Sequence, residues 1–394
     1  MKALTWHGKR DVRIDRVPDP TIETATDAVV RVTASGLCGS DLHLYELFGP
    51  FMDEGDILGH EPVGVVEAVG SGVHHLAPGD RVVVPATIAC GACLMCAHGL
   101  QSQCETTQNH EHGTGAALFG YTKLYGQVPG AQAEYLRVPQ AHYGPVPLPE
   151  EVPDDQAVLL ADVLPTAWQA VEYAHVPPGG SVAVIGLGPI GQMAARIARH
   201  RGAAHVFGVD RIPERLAMAE RHGIEVVDLR HDEHPGDTLR ERTGGRGPDA
   251  VIEAVGMEAH GSPAAKAAQA VVGALPDPVA EKVMATVGVD RLSALLLAID
   301  AVRRGGTLSI VGVYGGMRDP LPMLQLFDKH LTLRMGQLNA HRWFDPLMPL
   351  VVDAADPLGV ADLVTHRVSL DQAPAAYDAF QHKSDGMVKA VFEP

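Results

Sequence analysis

The chain has 394 residues, more than one ordinary core holds and enough for two domains. With 46% apolar and 20% charged residues it has the composition of a folded globular protein, not of a disordered or fibrous one. Its 31 Lys and Arg against 48 Asp and Glu give a net charge of −17, which speaks against a nucleic-acid surface, since phosphate binding needs clustered cations.

No apolar run approaches the roughly 18–20 residues of a membrane span. The N-terminus, Met1 to Trp6, lacks the long apolar core of a secretory leader, so a cytoplasmic location is expected.

Residues 1–150 carry short alternating runs broken by glycine, such as Ala28-Val29-Val30-Arg31-Val32 and Gly64-Val65-Val66-Glu67-Ala68-Val69. Period two between turn signals predicts strands of a twisted, barrel-like β domain. Within it Cys38 stands in Gly36-Leu37-Cys38-Gly39-Ser40-Asp41-Leu42-His43, and Gly59-His60-Glu61-Pro62 follows. A lone cysteine is usually a small buried hydrophobe, and a lone histidine is usually structural. Together they form a candidate metal-binding pair.

The remaining cysteines, Cys90, Cys93, Cys96 and Cys104, have the spacing C-x2-C-x2-C-x7-C. They are too crowded for an ordinary disulfide framework. Thiolates spaced by two residues can converge on one tetrahedral zinc, and four of them leave no open position, so this zinc is structural. An iron–sulfur cluster is the rival reading, but those patterns use other spacings, and Glu105 rather than proline follows Cys104.

After Glu151 the pattern changes. Residues Val158 to His175 have helical apolar spacing. Strands are predicted at Ser181–Gly186, Val206–Asp210, Glu225–Leu229, Asp249–Gly256, Thr307–Val313 and Leu331–Gly336, with a helix over Ile190–His200. Such alternation predicts a parallel sheet covered on both faces. Between Gly256 and Leu292 lies a long Ala-, Gly- and Pro-rich stretch, with a candidate helix at Ala264–Val272. It reads either as a surface elaboration or as a lid over a cofactor. The tail from Gln337 is expected to return to the first domain.

Gly186-Leu187-Gly188-Pro189-Ile190-Gly191 ends a predicted strand and opens a predicted helix. That is the context in which G-x-G-x-x-G binds a dinucleotide. Gly186 allows the turn, Gly188 admits the pyrophosphate, Gly191 lets helix and strand pack, and Pro189 and Ile190 start the helix whose free N–H groups face the phosphates. Asp210, about twenty residues on, is placed to bind the adenosine ribose hydroxyls, which favours NAD over NADP. Arg211 and Arg215 pull the other way, because arginine accepts a 2′-phosphate; Arg215 could equally lie over the adenine.

These elements, with Pro78-Gly79-Asp80-Arg81-Val82, resemble the zinc-dependent medium-chain alcohol dehydrogenase family over nearly the whole chain. The cysteine spacing, Asp162 in Leu160-Ala161-Asp162-Val163-Leu164-Pro165-Thr166, and the long stretch after Gly256 are similar to the branch with glutathione-independent formaldehyde dehydrogenases. The resemblance implies a GroES-like β-barrel-type catalytic domain (1–155 and 338–394, zinc lobe about 88–106) and an α/β Rossmann domain with a doubly wound parallel sheet (156–337). It implies two zinc ions per chain. The catalytic one is held by Cys38, His60 and a third ligand, which is cysteine in many relatives. No cysteine is left here, and Asp162 occupies the corresponding place. Carboxylate also ligates zinc, and the fourth position stays open.

By the same resemblance Glu61 shapes the site or ligates transiently, Ser40 touches the substrate oxygen, His43 relays the proton outward, and Thr166 contacts the nicotinamide. The expected reaction moves hydride between a small alcohol or aldehyde, formaldehyde included, and NAD, in a homodimer or homotetramer. A cofactor held in place by a lid would permit dismutation of an aldehyde. Phe48, Phe51, Tyr121 and Trp343 are candidate pocket walls. The rivals are a polyol or threonine dehydrogenase of the same family and, from another class, a non-catalytic nucleotide-binding zinc protein.

Overall fold

The computed structural model describes residues 1–258, 292–314 and 321–394. It divides into two compact units, Met1–Pro165 with Leu338–Pro394, and Thr166–Gln337. The boundary expected at 155/156 therefore moves to Pro165. The stretch before it packs into the first unit: Val158, Leu159, Leu160 and Ala161 are fully buried, and the Ala86 N–H donates to the Ala161 carbonyl at 3.3 Å.

In the first unit β1 (Lys2–Gly8) and β2 (Asp11–Arg16) form a hairpin. The main sheet contains β3 (Ala28–Leu37), β4 (Pro62–Val69), β5 (Arg81–Val83), β6 (Tyr135–Val138), β7 (Val146–Pro147), β14 (His366–Ser369) and β15 (Ala390–Glu393). Its order is β14-β15-β3-β4-β5-β7, with β6 also on β3. Val30, Val32, Val66, Val82, Phe119 and Leu136 fill the core on one side.

The register of β3 positions the site. Ser35 pairs with Pro62 of β4, so the chain leaving β3 at Cys38 runs beside the chain entering β4 at His60 and Glu61. On the other flank Leu37 pairs with Ala390 of β15, which brings Lys389 to the same corner. The C-terminal tail thus returns into the first unit by strand pairing.

The second unit has six parallel strands, β8 (Ser181–Ile185), β9 (His205–Asp210), β10 (Glu225–Asp228), β11 (Ala250–Glu253), β12 (Thr307–Ile310) and β13 (Thr332–Met335). Their order is β10-β9-β8-β11-β12-β13, so the winding reverses between β8 and β11. Ligands of doubly wound sheets bind at the carboxyl ends of the strands flanking that reversal. Ile185, Phe207, Val209, Val251, Ala298 and Leu308 form the core.

Three expectations change. The predicted Val158–His175 helix is a 3-10 turn, Val158–Leu160, then a helix, Val163–Ala174. Pro165 has no N–H to donate, and it is tolerated only in the first turn of a helix, so the helix restarts just before it. The strands predicted at Asp249–Gly256 and Thr307–Val313 stop at Glu253 and Ile310, because the Glu253 carbonyl takes the N–H groups of both Val311 and Gly312 (2.9 and 3.0 Å) and turns the chain. The candidate helix Ala264–Val272 and nearly all of the candidate lid, 257–291, lie outside the described residues. Among the described residues no helix is long and apolar enough to cross a membrane.

Candidate active site and metal centres

Cys38 follows β3 directly and caps the helix Gly39–Glu46. The Asp41 carboxylate turns back to accept the Cys38 N–H at 2.9 Å, which fixes this corner. His60 and Glu61 come from the start of β4, and Asp162 from the turn before Val163–Ala174. The cysteine sulfur, one imidazole nitrogen and one oxygen of each carboxylate all lie within 4.8 Å of one another. Asp162 Oδ2 lies 3.4 Å from Cys38 Sγ and 3.6 Å from His60 Nε2. His60 turns its other nitrogen toward Asp41 Oδ1 at 3.2 Å. A carboxylate behind a ligating imidazole fixes its orientation and raises its basicity.

Without a cation this corner is electrostatically uncomfortable. Burial and the Asp162 charge push the Cys38 thiol up. Burial opposes a charged His60, but Asp41 and Asp162 outweigh it and hold the imidazole well above its usual range. Burial pushes Glu61 up as well. One Glu61 oxygen is bonded by Lys389 Nζ, and the other, Oε1, is buried with no hydrogen-bond partner among the described residues. Sulfur, imidazole and carboxylates converging at this range suit zinc, and a divalent cation relieves the stacked negative charge.

Cys90, Cys93, Cys96 and Cys104 form the second cluster, again with ligand atoms within 4.8 Å. None is in a disulfide. Backbone N–H groups point at the sulfurs: Cys93 to Cys90 Sγ, Glu105 to Cys93 Sγ and Cys90 to Cys104 Sγ, each at 3.4 Å. Against the upward push of burial, Thr106 and the amides of Ala92 and Cys93 bring the Cys90 thiol down to about 6. Sulfurs served by amides are prepared for the thiolate state that metal binding requires.

In the second unit Gly186 adopts φ +90° at the end of β8, and Gly188 caps the helix Pro189–His200. A side chain at Gly191 would collide with the Gly186 carbonyl. At Gly188 it would meet, among the described residues, only the Arg215 guanidinium, at 3.7 Å, which leaves room before this helix N-terminus. The Asp210 carboxylate accepts the N–H groups of Leu187 (2.6 Å), Arg211 (2.6 Å) and Ile212 (2.9 Å), tying the end of β9 to the glycine turn. Arg215 approaches Asp210 to 4.0 Å, and Arg211 is exposed.

Comparison with known proteins decides the family. Residues 24–150 match the alcohol dehydrogenase GroES-like domain, and residues 189–275 match the zinc-binding dehydrogenase domain. A zinc-type alcohol dehydrogenase-like protein of Bacillus subtilis is 38% identical over all of this chain and all of its own length. The chain belongs to the zinc-dependent medium-chain alcohol dehydrogenase family. Formaldehyde dismutase of Pseudomonas putida is 31% identical, covering all of this chain and 97% of its own. The alcohol dehydrogenase TADH from Thermus sp. ATN1 superposes with a TM-score of 0.83 at 35% identity, over 100% of this chain and 99% of its own.

A member of this family is an enzyme, and the non-catalytic alternative is set aside. Cys38, His60, Glu61 and Asp162 converge, as do the four lobe cysteines. Ser40 Oγ lies 3.3 Å from His60 Nε2, and His43 is buried in the same helix rather than exposed in a turn. Thr166 is buried in the helix Val163–Ala174. Phe48 stacks edge-on with His43, Phe51 and Tyr121 at ring distances of 6.1, 6.2 and 6.4 Å. The Arg342 guanidinium lies over the Trp343 ring, 4.8 Å from its centroid.

Sequence reading missed three supporting residues. Asp41, inside the motif that was read, backs His60. Gln132 donates to Asp41 at 3.4 Å and accepts the Tyr377 hydroxyl at 2.7 Å. Lys389, fully buried, donates to the Leu37 carbonyl at 3.0 Å and pairs with Glu61. For Asp41 the three-residue spacing from Cys38 was an available signal. For the other two nothing local gives a signal.

Proposed function

We propose that this enzyme oxidises and reduces small alcohols and aldehydes, formaldehyde among them, with NAD as the hydride carrier and two zinc ions per chain. The observation that carries this reading is the buried convergence of Cys38, His60, Glu61 and Asp162. Zinc held there supplies a Lewis acid that lowers the pKa of an alcohol hydroxyl and polarises a carbonyl.

The chain's own residues do the rest. Cys38, His60 and Asp162 hold the cation, and Asp41 holds His60 in the ligating orientation. Glu61, steadied by Lys389, keeps a carboxylate oxygen at the rear of the cluster. Ser40 Oγ accepts the substrate hydroxyl proton as it gives up its own, and His43 passes that proton outward. The aromatic rings of Phe48 and Tyr121 exclude water and restrict the substrate to small size. Cys90, Cys93, Cys96 and Cys104 hold the structural ion. Gly188, Gly191 and the N-terminus of Pro189–His200 bind the pyrophosphate, and Asp210 binds the adenosine ribose and repels a 2′-phosphate. Thr166 contacts the nicotinamide.

Full-length similarity to a formaldehyde dismutase, and a carboxylate where many relatives use a third cysteine, favour the formaldehyde branch over polyols. A panel of formaldehyde, ethanol, longer primary alcohols and polyols, assayed with NAD and NADP, tests this. Formaldehyde should give the highest kcat/KM; a polyol ranking first would refute the assignment. Methanol and formate formed in equal amounts without added NAD would identify dismutation.

The enzyme forms a homo-oligomer through the edge of its parallel sheet. Among the described residues strand β13 has no outer neighbour and Met335 on it is 62% exposed, while Leu324 and Phe327 on the helix Met323–Asp328 are 80% and 85% exposed. An apolar sheet edge suits a second copy related by a two-fold axis.

A further inference from the structure

Glu253 is the last residue of β11, at the carboxyl end of the strand next to the winding reversal, and it is 1% exposed. A buried carboxylate needs partners to offset its desolvation. Here they are loop groups. Glu253 Oε1 accepts the N–H groups of Val255 at 2.9 Å and Gly256 at 2.8 Å. Its main-chain carbonyl takes the N–H groups of Val311 and Gly312. One residue thus gathers the chain leaving β11 and the chain leaving β12.

The two loops are built to touch. Met257 N–H donates to the Val313 carbonyl at 2.9 Å. Gly256 has φ +64°, and a side chain there would meet the Val313 N at 2.5 Å. A side chain at Gly312 would strike both Gly256 and the Glu253 carboxylate. On the other side, Ala254 N–H donates to Ile185 at 2.9 Å, and Val255 fills the space where a Gly186 side chain would stand. The glycine turn and the loops after β11 and β12 form one continuous floor, and Glu253 lies beneath its middle.

A dinucleotide straddles the reversal of a doubly wound sheet. Asp210, at the end of β9, marks the adenosine side, so the other half of the ligand lies over β11 and β12. We infer that Glu253 is a positioning residue for the nicotinamide half of the cofactor, holding the 254–257 and 311–314 backbone in the shape that half requires. This rests on the proposed reading of the Thr166–Gln337 unit as the NAD site.

The test compares NADH with ADP-ribose, which lacks the nicotinamide, by fluorescence or calorimetric titration of the holoenzyme. Glu253→Ala should weaken NADH by about tenfold or more and leave ADP-ribose within about twofold. Glu253→Gln, which keeps an acceptor for the Val255 and Gly256 amides, should stay within about threefold of the native NADH affinity, and Gly312→Ala, whose side chain would press on Gly256 and the Glu253 carboxylate, should lose about two- to fivefold. Unchanged NADH binding in Glu253→Ala, or equal loss of both ligands, would overturn the inference. Should Glu253→Ala not fold, unchanged NADH binding in Gly312→Ala would overturn it. Native protein that binds neither ligand would refute the NAD reading itself, and the inference with it.

Discussion

Lys389 and Glu61 form an ion pair with no exposed surface on either side chain, between residues 328 positions apart in the chain. The lysine comes from the chain entering β15, the last strand, and the glutamate from the chain entering β4. Burial opposes the charge on Lys389, but Glu61 holds the ammonium up, and the Leu37 carbonyl accepts a second bond. The tail of the chain therefore braces the metal-binding corner built by its first quarter.

Breaking a buried pair leaves an uncompensated charge, typically at a cost of about 3–5 kcal/mol. Lys389→Met should lower stability by about that amount, read from denaturant midpoints. Adding Glu61→Gln should recover part of the loss, because the stranded carboxylate is then removed. A Lys389→Met protein as stable as the native one would show that the pair is not the brace described.

A histidine bonded to Tyr143, which packs against the lobe cysteines, carries a pH signature. His341 bonds the Tyr143 carbonyl at 2.9 Å, and burial lowers its pKa from the ordinary 6.5 to about 4. A depressed base is neutral when folded, and the unfolded chain takes up its proton first. This contribution is complete above pH 6.5 and is lost as pH falls toward about 4. Denaturation midpoints at pH 7 and pH 5 should drop more for the native protein than for His341→Gln. Equal drops would remove His341 from the account.

Asp210 should control cofactor choice. Its carboxylate holds the glycine turn through Leu187, so a large change there would loosen the loop. Asp210→Asn keeps an acceptor and removes the charge. The ratio of kcat/KM for NADP to that for NAD should rise about tenfold, corresponding to roughly 1.4 kcal/mol of relieved repulsion. An unchanged ratio would mean that Arg211 and Arg215 set the preference.

The exposed edge makes a prediction about assembly. Met335→Lys on β13 should shift the protein toward a smaller species in sedimentation velocity while leaving its circular dichroism intact, since charge on an edge strand blocks edge pairing. An unaltered sedimentation coefficient would place the interface elsewhere.

Much of this was legible in the sequence because the chemistry is local. The four lobe cysteines lie within one short segment, and Gly186 to Gly191 with Asp210 fall in one β-α-β unit. Cys38 and His60 are each ordinary alone, and their family motifs raised them above that. What could not be read depends on register. Nothing near Lys389 announces that β15 pairs with β3 at Leu37, and nothing near Gln132 points to Asp41 or Tyr377. Glu253 looked like the polar end of an apolar strand, and its role is visible only when the loops after β11 and β12 are seen to share it. The helix break at Asp162 was readable from Pro165, yet the apolar spacing of Val158–His175 outweighed it.

On the proposed function Cys38, His60 and Asp162 hold a zinc ion distinct from the one in the cysteine lobe. Metal analysis of the purified protein by mass spectrometry, beside NAD reduction assays, tests it most directly. The native chain should carry two zinc ions, and Cys38→Ser and His60→Ala should each carry one, keep the native fold, and lose activity by about a thousandfold or more. A Cys38→Ser protein with two zinc ions and native activity would contradict the account.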